Sequence, residues 1–211
     1  MEQNYDTLPG NIAAILFLLA IGLFPLWIVW DIVVRLRRKK FIKNYRFPSI
    51  IEQKLISEYP QLVDSDIPTI FHALEQYNLC CVQANKWDTT SPSKIVDFAW
   101  QQFRENNEEY DLYCRRAFGR VLPDEPFHKI VSQDDISEEL TRTWANTCEI
   151  TNINRSKPRD LPILFSIDHA LNIPNGNHFY LIVEGKSKSL FVNNDINLTR
   201  LFHDELPEMC G

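Results

Sequence analysis

The cysteines and histidines of this chain are the first side chains to consider for chemistry, because both can act as nucleophiles and metal ligands. The histidines are scattered along the chain, and the cysteines form no C-x-x-C pair. An odd number of cysteines without that spacing predicts neither a zinc site nor a disulfide framework, and favours reduced, buried thiols. The five cysteines are Cys80, Cys81, Cys114, Cys148 and Cys210.

Two local arrangements come closest to a catalytic site. Asp168 and His169 are adjacent in "IDHA", but neighbours on a helix point about 100° apart, which argues against a joint site. Cys114 precedes two arginines that would favour a thiolate, whereas its place in a helical apolar stripe predicts a buried thiol with a raised pKa. No phosphate-binding, zinc-protease or serine-hydrolase motif occurs. We therefore predict no catalytic residue, no cofactor and no metal site.

The stretch from Val96 to Gly119, "VDFAWQQFRENNEEYDLYCRRAFG", carries large residues at helical spacing on both sides of a charged run. This spacing is typical of two antiparallel amphipathic helices whose apolar faces pack together. The alternative is a ligand site built from the same aromatic residues, but packing is by far the commoner use of such a stripe. The motif and core positions are Asp97, Trp100, Tyr110, Cys114, Phe118, Gly119 and, further along the chain, Asp168.

Four segments together resemble the glycine-rich domain-containing protein-like family, a largely uncharacterised group of bacteria and plants. They are "SPSKIVDFAWQQF", "EYDLYCRRAFGRVLPDEP", "TWANTC" and "LPILFSIDHALNIPNG", within residues 48–181. The family motif reads P-S-K-x-V-D-x-x-W-H, then Y-x-x-F-C, F-G and H-H-x-P, with a downstream L-P-x-L-F-x-x-D. The matching positions are Pro92, Ser93, Lys94, Val96, Asp97, Trp100, Tyr110, Cys114, Phe118, Gly119, Pro126, Leu161, Pro162, Phe165 and Asp168.

The chain departs from this motif at its histidines. Gln101 follows the tryptophan, and Pro123 and Asp124 stand where the motif has His-His. Gln is a poor metal ligand and Pro offers none, so a metal or acid-base site built on those histidines would be lost here. The resemblance therefore implies no activity for this chain. The titratable residues left near that corner, whose carboxylates we expect at helix caps or exposed turns, are Asp97, Asp124, Glu125 and His128.

The N-terminal part of the chain predicts a membrane anchor. Residues 8–30, "LPGNIAAILFLLAIGLFPLWIVW", are 23 residues without a charge, enough at about 1.5 Å per helical residue to cross a hydrocarbon core of about 30 Å. A secretory signal peptide would carry basic residues before a shorter apolar run, whereas Glu2 and Asp6 occur here. We interpret residues 8–34 as an uncleaved transmembrane helix and residues 1–7 as a short extracytoplasmic N-terminus.

The charges around this helix predict its orientation. No Lys or Arg precedes it, and seven follow between residues 35 and 46, which the positive-inside rule places in the cytoplasm. The predicted location is the inner membrane of a bacterial cell, single-pass, with the domain inside. A specific lipid or nucleic-acid patch is the alternative reading of this basic stem, but topology and anionic-lipid contact explain it more simply. The expected interface residues are Arg35, Arg37, Arg38, Lys39 and Lys40, with Trp27, Trp30, Phe41 and Tyr45 as an aromatic belt.

Residues 47–211 predict a mainly α cytoplasmic domain with a small C-terminal β-hairpin. Apolar residues recur at helical spacing after Pro48, after Asp66, from a Ser91 cap, before Gly119 and from Asp135. "FYLIV" and "LFV" flank "EGKSKS" as a hairpin, and residues 198–206 suggest one more short helix. The 15 Lys and Arg against 25 Asp and Glu oppose binding to nucleic acid or anionic lipid. We expect the domain to stand off the membrane on its basic tether.

Two classes of function are compatible with this sequence. The first is a membrane-anchored interaction module whose acidic helical surface binds an unknown protein partner, with residues 8–34 in the bilayer and no nucleic acid. The second is an enzyme whose site matches no motif. An exposed apolar patch would favour the first class, and a pocket lined by convergent polar groups would favour the second. The absence of a catalytic motif favours the interaction module.

Overall fold

The computed structural model describes residues 8–84, 91–122, 133–155, 158–184, 187–194 and 197–204. Within these ranges seven helices precede three strands, which confirms a mainly α fold with a small β element near the C-terminus. The helices are α1 (Leu8–Asn44), α2 (Ser49–Glu58), α3 (Ile67–Ala84), α4 (Lys94–Arg104), α5 (Asn107–Ala117), α6 (Gln133–Thr151) and α7 (Ile163–Ala170). The strands are β1 (His178–Glu184), β2 (Ser187–Asn194) and β3 (Asn197–Asp204).

Helix α1 continues without a break from the apolar run into the basic stem. Trp30 in the apolar run is 64% exposed, whereas Ile42 near the other end is 2% exposed. Phe41 and Tyr45 pack on Tyr113 of α5, with ring centroids 5.5 and 4.6 Å apart. The expectation that residues 35–46 form a free tether is therefore wrong for the second half of this stem. Phe41 and Tyr45 pack against the domain core, so they are not part of an aromatic belt at the membrane.

Helix α3 lies along the stem and runs antiparallel to it. The Lys39 ammonium donates a hydrogen bond to the side chain of Gln83, in the last turn of α3. Eight residues further on, beyond the end of α1, the Phe47 ring lies 5.3 Å from the ring of Phe71, near the start of α3. The C-terminal end of α3 therefore points back toward the apolar half of α1.

Helix α4 begins two residues later than the Ser91 cap predicts. Its N-cap is Ser93, whose backbone is extended (φ −123°, ψ 128°) and whose hydroxyl accepts a hydrogen bond from the Val96 N–H at 3.2 Å. Either serine could satisfy an exposed N–H group at a helix start, so composition alone did not separate them. Helix α6 differs from its predicted start in the opposite direction, because it begins at Gln133, two residues before the predicted Asp135.

The C-terminal strands form one antiparallel sheet in the order β1-β2-β3. The predicted hairpin is present as β1 and β2, with Glu184 opposite Ser187. The predicted helix at residues 198–206 is wrong, because β3 pairs with β2 along its length. The sheet attaches to the helices through β1, where the buried Phe179 ring lies 5.0 Å from the Phe165 ring of α7.

Candidate functional site

The aromatic positions of the motif lie inside the core between α4 and α5. Trp100 is 2% exposed, and its ring makes edge contacts with Tyr110 at 5.4 Å and Phe118 at 6.3 Å between centroids. Tyr110, Cys114 and Phe118 are buried with it. Burial on this scale leaves no face of Trp100 open to a ligand, so these residues pack the two helices together.

Gly119 ends α5 in the left-handed region, with φ +82°, which glycine adopts without strain. Its N–H donates to the carbonyl oxygens of Cys114 and Arg115, both at 3.1 Å. A Cβ atom at this position would collide with the guanidinium of Arg38, so the stem of α1 rests directly on this turn. Arg38, expected at the membrane interface, is thus also a contact between the stem and the domain.

Asp168 is the motif residue with the most polar contacts. Its side chain is buried, and its Oδ1 atom accepts hydrogen bonds from the Ser93 hydroxyl at 2.6 Å and the Ile95 N–H at 3.3 Å. Its Oδ2 atom accepts from the N–H groups of Lys94 at 2.8 Å and Asn177 at 2.9 Å. A carboxylate at the first turn of a helix satisfies N–H groups that have no partner within the helix, and it opposes the positive end of the helix dipole. Asp168 therefore caps α4 from another part of the chain.

The turn after α7 closes over this carboxylate. Gly176 lies so near that a Cβ atom there would be 2.8 Å from the Asp168 Cβ and 2.9 Å from the Ile173 carbonyl oxygen. The next residue, Asn177, donates through its side-chain amide to the Pro92 carbonyl oxygen at 3.0 Å. Two distant motif segments, around residues 92–97 and 161–177, therefore meet at one buried polar junction, which we call the cap junction.

Asp97 borders the cap junction and carries its most perturbed carboxyl group. Burial raises the pKa of Asp97 to about 7 and the neighbouring Asp168 charge adds to the rise, while a hydrogen bond with Ser91 opposes it. A carboxyl group with this pKa exchanges its proton near neutral pH, which is a property of many general acids and bases. Asp168, in contrast, has both oxygens occupied by donors of the chain itself. The contacts of Asp168 therefore indicate a role in helix capping, and its pairing with Asp97 does not by itself indicate a catalytic role.

The buried thiols are poor nucleophiles. Burial raises the pKa of Cys80 and Cys148 to about 12 and that of Cys114 to about 11. Near neutral pH almost no thiolate forms at such values. The Cys80 sulfur lies 3.0 Å from the Thr147 hydroxyl, which joins α3 to α6. The arginines that follow Cys114 do not activate it.

The histidines of the described ranges are not gathered into a metal centre. His169 is exposed, while its neighbour Asp168 is buried, so the two side chains point to different environments as the helical spacing predicts. His169 instead stacks edge-on against His178 of β1, with ring centroids 5.0 Å apart, a pairing that the sequence did not indicate. Across the described ranges no three His, Cys, Asp or Glu side chains are placed to hold a metal ion. Pro123, Asp124, Glu125, Pro126 and His128 lie outside those ranges.

A cleft of about 370 Å³ lies between the end of α1 and the first half of α3. The imidazole Nδ1 of His72 lies 3.8 Å from the Glu75 carboxylate, and its Nε2 lies 3.4 Å from the Gln76 amide. Burial raises the pKa of Tyr45 to about 12, with a smaller contribution from Glu109, so the phenol stays neutral. The cleft combines aromatic surface with both signs of charge, which suits binding. Its lining residues are Tyr45, Arg46, Phe47, Pro68, Phe71, His72 and Glu75.

Sequence reasoning missed the cap junction and the cleft for different reasons. The sequence singles out Asp168 as a motif match and as the neighbour of His169, but its partner Ser93 is 75 residues away, a separation that spacing rules do not reach. The shared motif was the one available signal that the two segments belong together. The cleft depends on the docking of α1, because Tyr45 and Phe47 line it only in that arrangement.

Of three comparisons with known proteins, the one with protein families gives a match. No curated protein and no solved structure matches it. The sequence pattern of the UCP032817-like family matches residues 37–197. This span includes the docked C-terminal end of α1, both segments of the cap junction, and the hairpin of β1 and β2. The chain therefore belongs to the UCP032817-like family, an uncharacterised family.

Proposed function

We propose that this protein is a single-pass inner-membrane protein whose helical domain lies in the cytoplasm and binds a protein partner there. The described residues contain one helix long and apolar enough to cross a membrane, Ala14–Asn44, with a mean hydropathy of 2.3 in its most apolar window and none of that window buried. Within the uncharacterised family, we further assign the chain to the glycine-rich domain-containing protein-like group on its motif residues.

The observation that carries the proposal is the change in environment along α1. Residues such as Phe24 and Trp27 leave more than half of their surface exposed, and covering this apolar surface requires an apolar phase or a partner. A bilayer covers it for a helix of this length, since all backbone N–H and C=O groups are already satisfied within the helix. From Arg38 onward the same helix is held by the domain, so anchor and domain form one body.

A protein partner is supported by the cleft at the membrane-distal end of the stem. Its volume of about 370 Å³ accommodates one or two side chains rather than a large cofactor. The aromatic residues Phe47 and Phe71 offer apolar contact, and the exposed Arg46 offers a charge for a carboxylate. We propose that the occupant is a partner segment with an apolar anchor residue beside an acidic one.

Membrane insertion and orientation are tested with fusions after Gly211. A phosphatase that is active only in the periplasm should be inactive there, and a fluorescent protein that folds only in the cytoplasm should fluoresce. The chain should also stay in the membrane pellet after extraction with alkaline carbonate. An active phosphatase would reverse the orientation, and release by carbonate would remove the anchor.

Partner binding at the cleft is tested by charge reversal. Arg46→Glu should abolish the co-isolation of a partner with the detergent-solubilised chain, because the acidic residue beside the partner's apolar anchor would then be repelled. Arg159→Glu is the matched control, since Arg159 is an exposed arginine between α6 and α7 that does not line the cleft. Equal recovery of the same partner with both variants would exclude the cleft as the binding site.

A further inference from the structure

We propose that the membrane-facing end of the domain is a second basic surface, which binds anionic lipid headgroups of the cytoplasmic leaflet. Its residues are Arg115 and Arg116, and we call it the α5 surface. This inference rests on the proposed membrane anchoring. It reverses the expectation, drawn from the net charge of residues 47–211, that the domain stands off the membrane.

The direction of α5 relative to α1 carries the first step. Arg38 lies on the turn at Gly119, just past the end of α5. Seven residues beyond Arg38, and so further from the membrane, the Tyr45 ring contacts the Tyr113 ring in the middle of α5, with 4.6 Å between the ring centroids. Moving away from the apolar run along α1 thus means moving from the end of α5 toward its start. Helix α5 is antiparallel to α1, and its C-terminal end points at the membrane.

The C-terminal end of α5 lies close to the lipid headgroups. Arg38 is eight residues beyond Trp30, the last residue of the uncharged run, which is about 12 Å along a helix. The headgroup layer adds roughly 5 to 8 Å to the hydrocarbon core on each side. The turn at Gly119 therefore lies within about 4 to 7 Å of the headgroups, closer than the Debye length of about 8 Å at physiological salt. Charges at this end of α5 are close enough to attract anionic lipid.

The charges of α5 are separated along the helix, with acidic residues at its start and basic residues at its end. Helix α5 has Glu108 and Glu109 in its first turn and Arg115 and Arg116 in its last turn. The helix dipole favours this order in any helix, but it does not decide which end faces the bilayer. Docking on α1 turns the basic end toward the membrane and the acidic end away from it. On α5 the positive charge therefore lies nearer the membrane than the negative charge.

The contacts of the arginines leave charge available for lipid. Arg115 is exposed, and Arg116 is exposed although its guanidinium lies over the Phe41 ring at 5.9 Å from the centroid. A cation on an aromatic face keeps its charge, so Arg116 both fastens α5 to the stem and adds to the local positive potential. Together with the stem cations this makes two basic rows side by side, one on α1 and one at the end of α5.

The test measures lipid selectivity of the full chain in vesicles. Spin-labelled phosphatidylglycerol and phosphatidylcholine report how strongly each lipid is held next to the protein. The wild-type chain should prefer phosphatidylglycerol, and Arg115→Gln/Arg116→Gln should reduce the preference by at least about fivefold, the contribution of one basic residue close to an anionic leaflet. The control Lys54→Gln removes one charge from the membrane-distal end, beside the start of α5, is matched to Arg115→Gln, and should leave the preference unchanged.

Each result decides for or against the α5 surface. Equal preference in wild type and Arg115→Gln/Arg116→Gln, or an equal loss in the control, would overturn it. Arg115→Gln alone retains the Arg116 contact with Phe41, and a loss of preference without a change in unfolding separates lipid binding from a loosened stem. Failure of the anchoring itself would show differently, as a chain released from the vesicles by alkaline carbonate.

Discussion

The Ser93 hydroxyl donates a 2.6 Å hydrogen bond to the Asp168 carboxylate, although 75 residues separate the two in sequence. The same Asp168 oxygen also receives the Ile95 N–H, so the start of α4 is held by a charge from α7. The serine caps α4 locally, and the aspartate caps it across the domain. The cap junction thus stabilises the fold, and its removal should lower the free energy of unfolding.

A double-mutant cycle on Ser93 and Asp168 tests the cap junction. Ser93→Ala should lower the free energy of unfolding by about 0.5 to 2 kcal/mol, the usual loss for an N-cap. Asp168→Asn should lower it by at least about 2 kcal/mol, because several buried donors lose a charged acceptor. The double variant should lose less than the sum, since the two side chains share a hydrogen bond. Urea unfolding of the detergent-solubilised chain measures all three, and strict additivity would argue against the contact.

Replacement of Trp100 tests the core between α4 and α5. Trp100→Ala should lower the free energy of unfolding by about 3 to 5 kcal/mol, because it empties a buried volume shared with Tyr110 and Phe118. Leu112→Ala on the exposed face of α5 is the control, since Leu112 is 60% exposed, and it should change stability by less than about 0.5 kcal/mol. A loss under about 1 kcal/mol for Trp100→Ala would mean that the tryptophan is not part of the core.

The raised pKa of Asp97 predicts a pH-dependent stability. The folded chain holds this proton up to about pH 7, whereas the unfolded chain releases it near the ordinary value of 3.8. Between about pH 4 and pH 7 the folded state therefore binds more protons, and the free energy of unfolding falls as pH rises. Asp97→Asn does not titrate, so wild type should lose stability relative to this variant across the window and show a constant difference above about pH 8. Unfolding curves at a series of pH values measure the difference, and a flat difference would contradict the burial of the carboxyl group.

Thiol labelling tests the assignment of the cysteines to the core. Cys80, Cys81, Cys114 and Cys148 are all buried, and none of these four forms a disulfide bond. The test uses a Cys210→Ser background and iodoacetamide at pH 8, for a reaction time that fully labels a small-molecule thiol in solution. Under these conditions none of the four cysteines should be labelled in the folded chain, and all four should be labelled in urea. Because a thiol with a pKa of about 11 is almost fully protonated at that pH, rapid labelling of Cys114 would return it to consideration as a nucleophile.

Truncation before and after the stem tests the docking of α1. A chain of residues 35–211 keeps Phe41, Ile42 and Tyr45, whereas a chain of residues 47–211 lacks them. Burial of each such side chain contributes about 1.5 to 3 kcal/mol, so the shorter chain should be less stable by several kcal/mol and aggregate more readily. Circular dichroism and thermal unfolding compare the two chains. Equal midpoints would mean that the stem is a free tether after all.

The elements that depend on local patterns were predictable from the sequence. The spacing of Ile51 and Leu55, of Ile70 and Leu74, and of the residues around Trp100 predicts helices with one buried face, and these residues are buried. In each case the information lies within four or seven residues, the range over which one helical face repeats.

The features that depend on distant partners were not predictable in this way. Phe41 and Tyr45 read as interfacial aromatic residues because they follow a transmembrane pattern, and only their contact with Tyr113 shows that they pack on the core. Residues 198–206 carry apolar side chains at helical spacing, yet pairing with β2 decides for a strand. The cap junction required knowledge that α4 and α7 meet. Tertiary contacts overrode or completed the local signal in all three cases.

If α1 spans a bilayer, as we propose, its unbroken course into the domain ties the orientation of the domain to the tilt of the helix. Helix tilt responds to bilayer thickness, and a domain clamped to the helix from Arg38 to Tyr45 has to follow that tilt. Tyr45 lies 15 residues beyond Trp30, about 22 Å along the axis, so a change in tilt of about 20° sweeps it sideways by roughly 8 Å. The cleft that Tyr45 lines would travel with it, so a thicker or thinner membrane would present this cleft to the cytoplasm at a different angle.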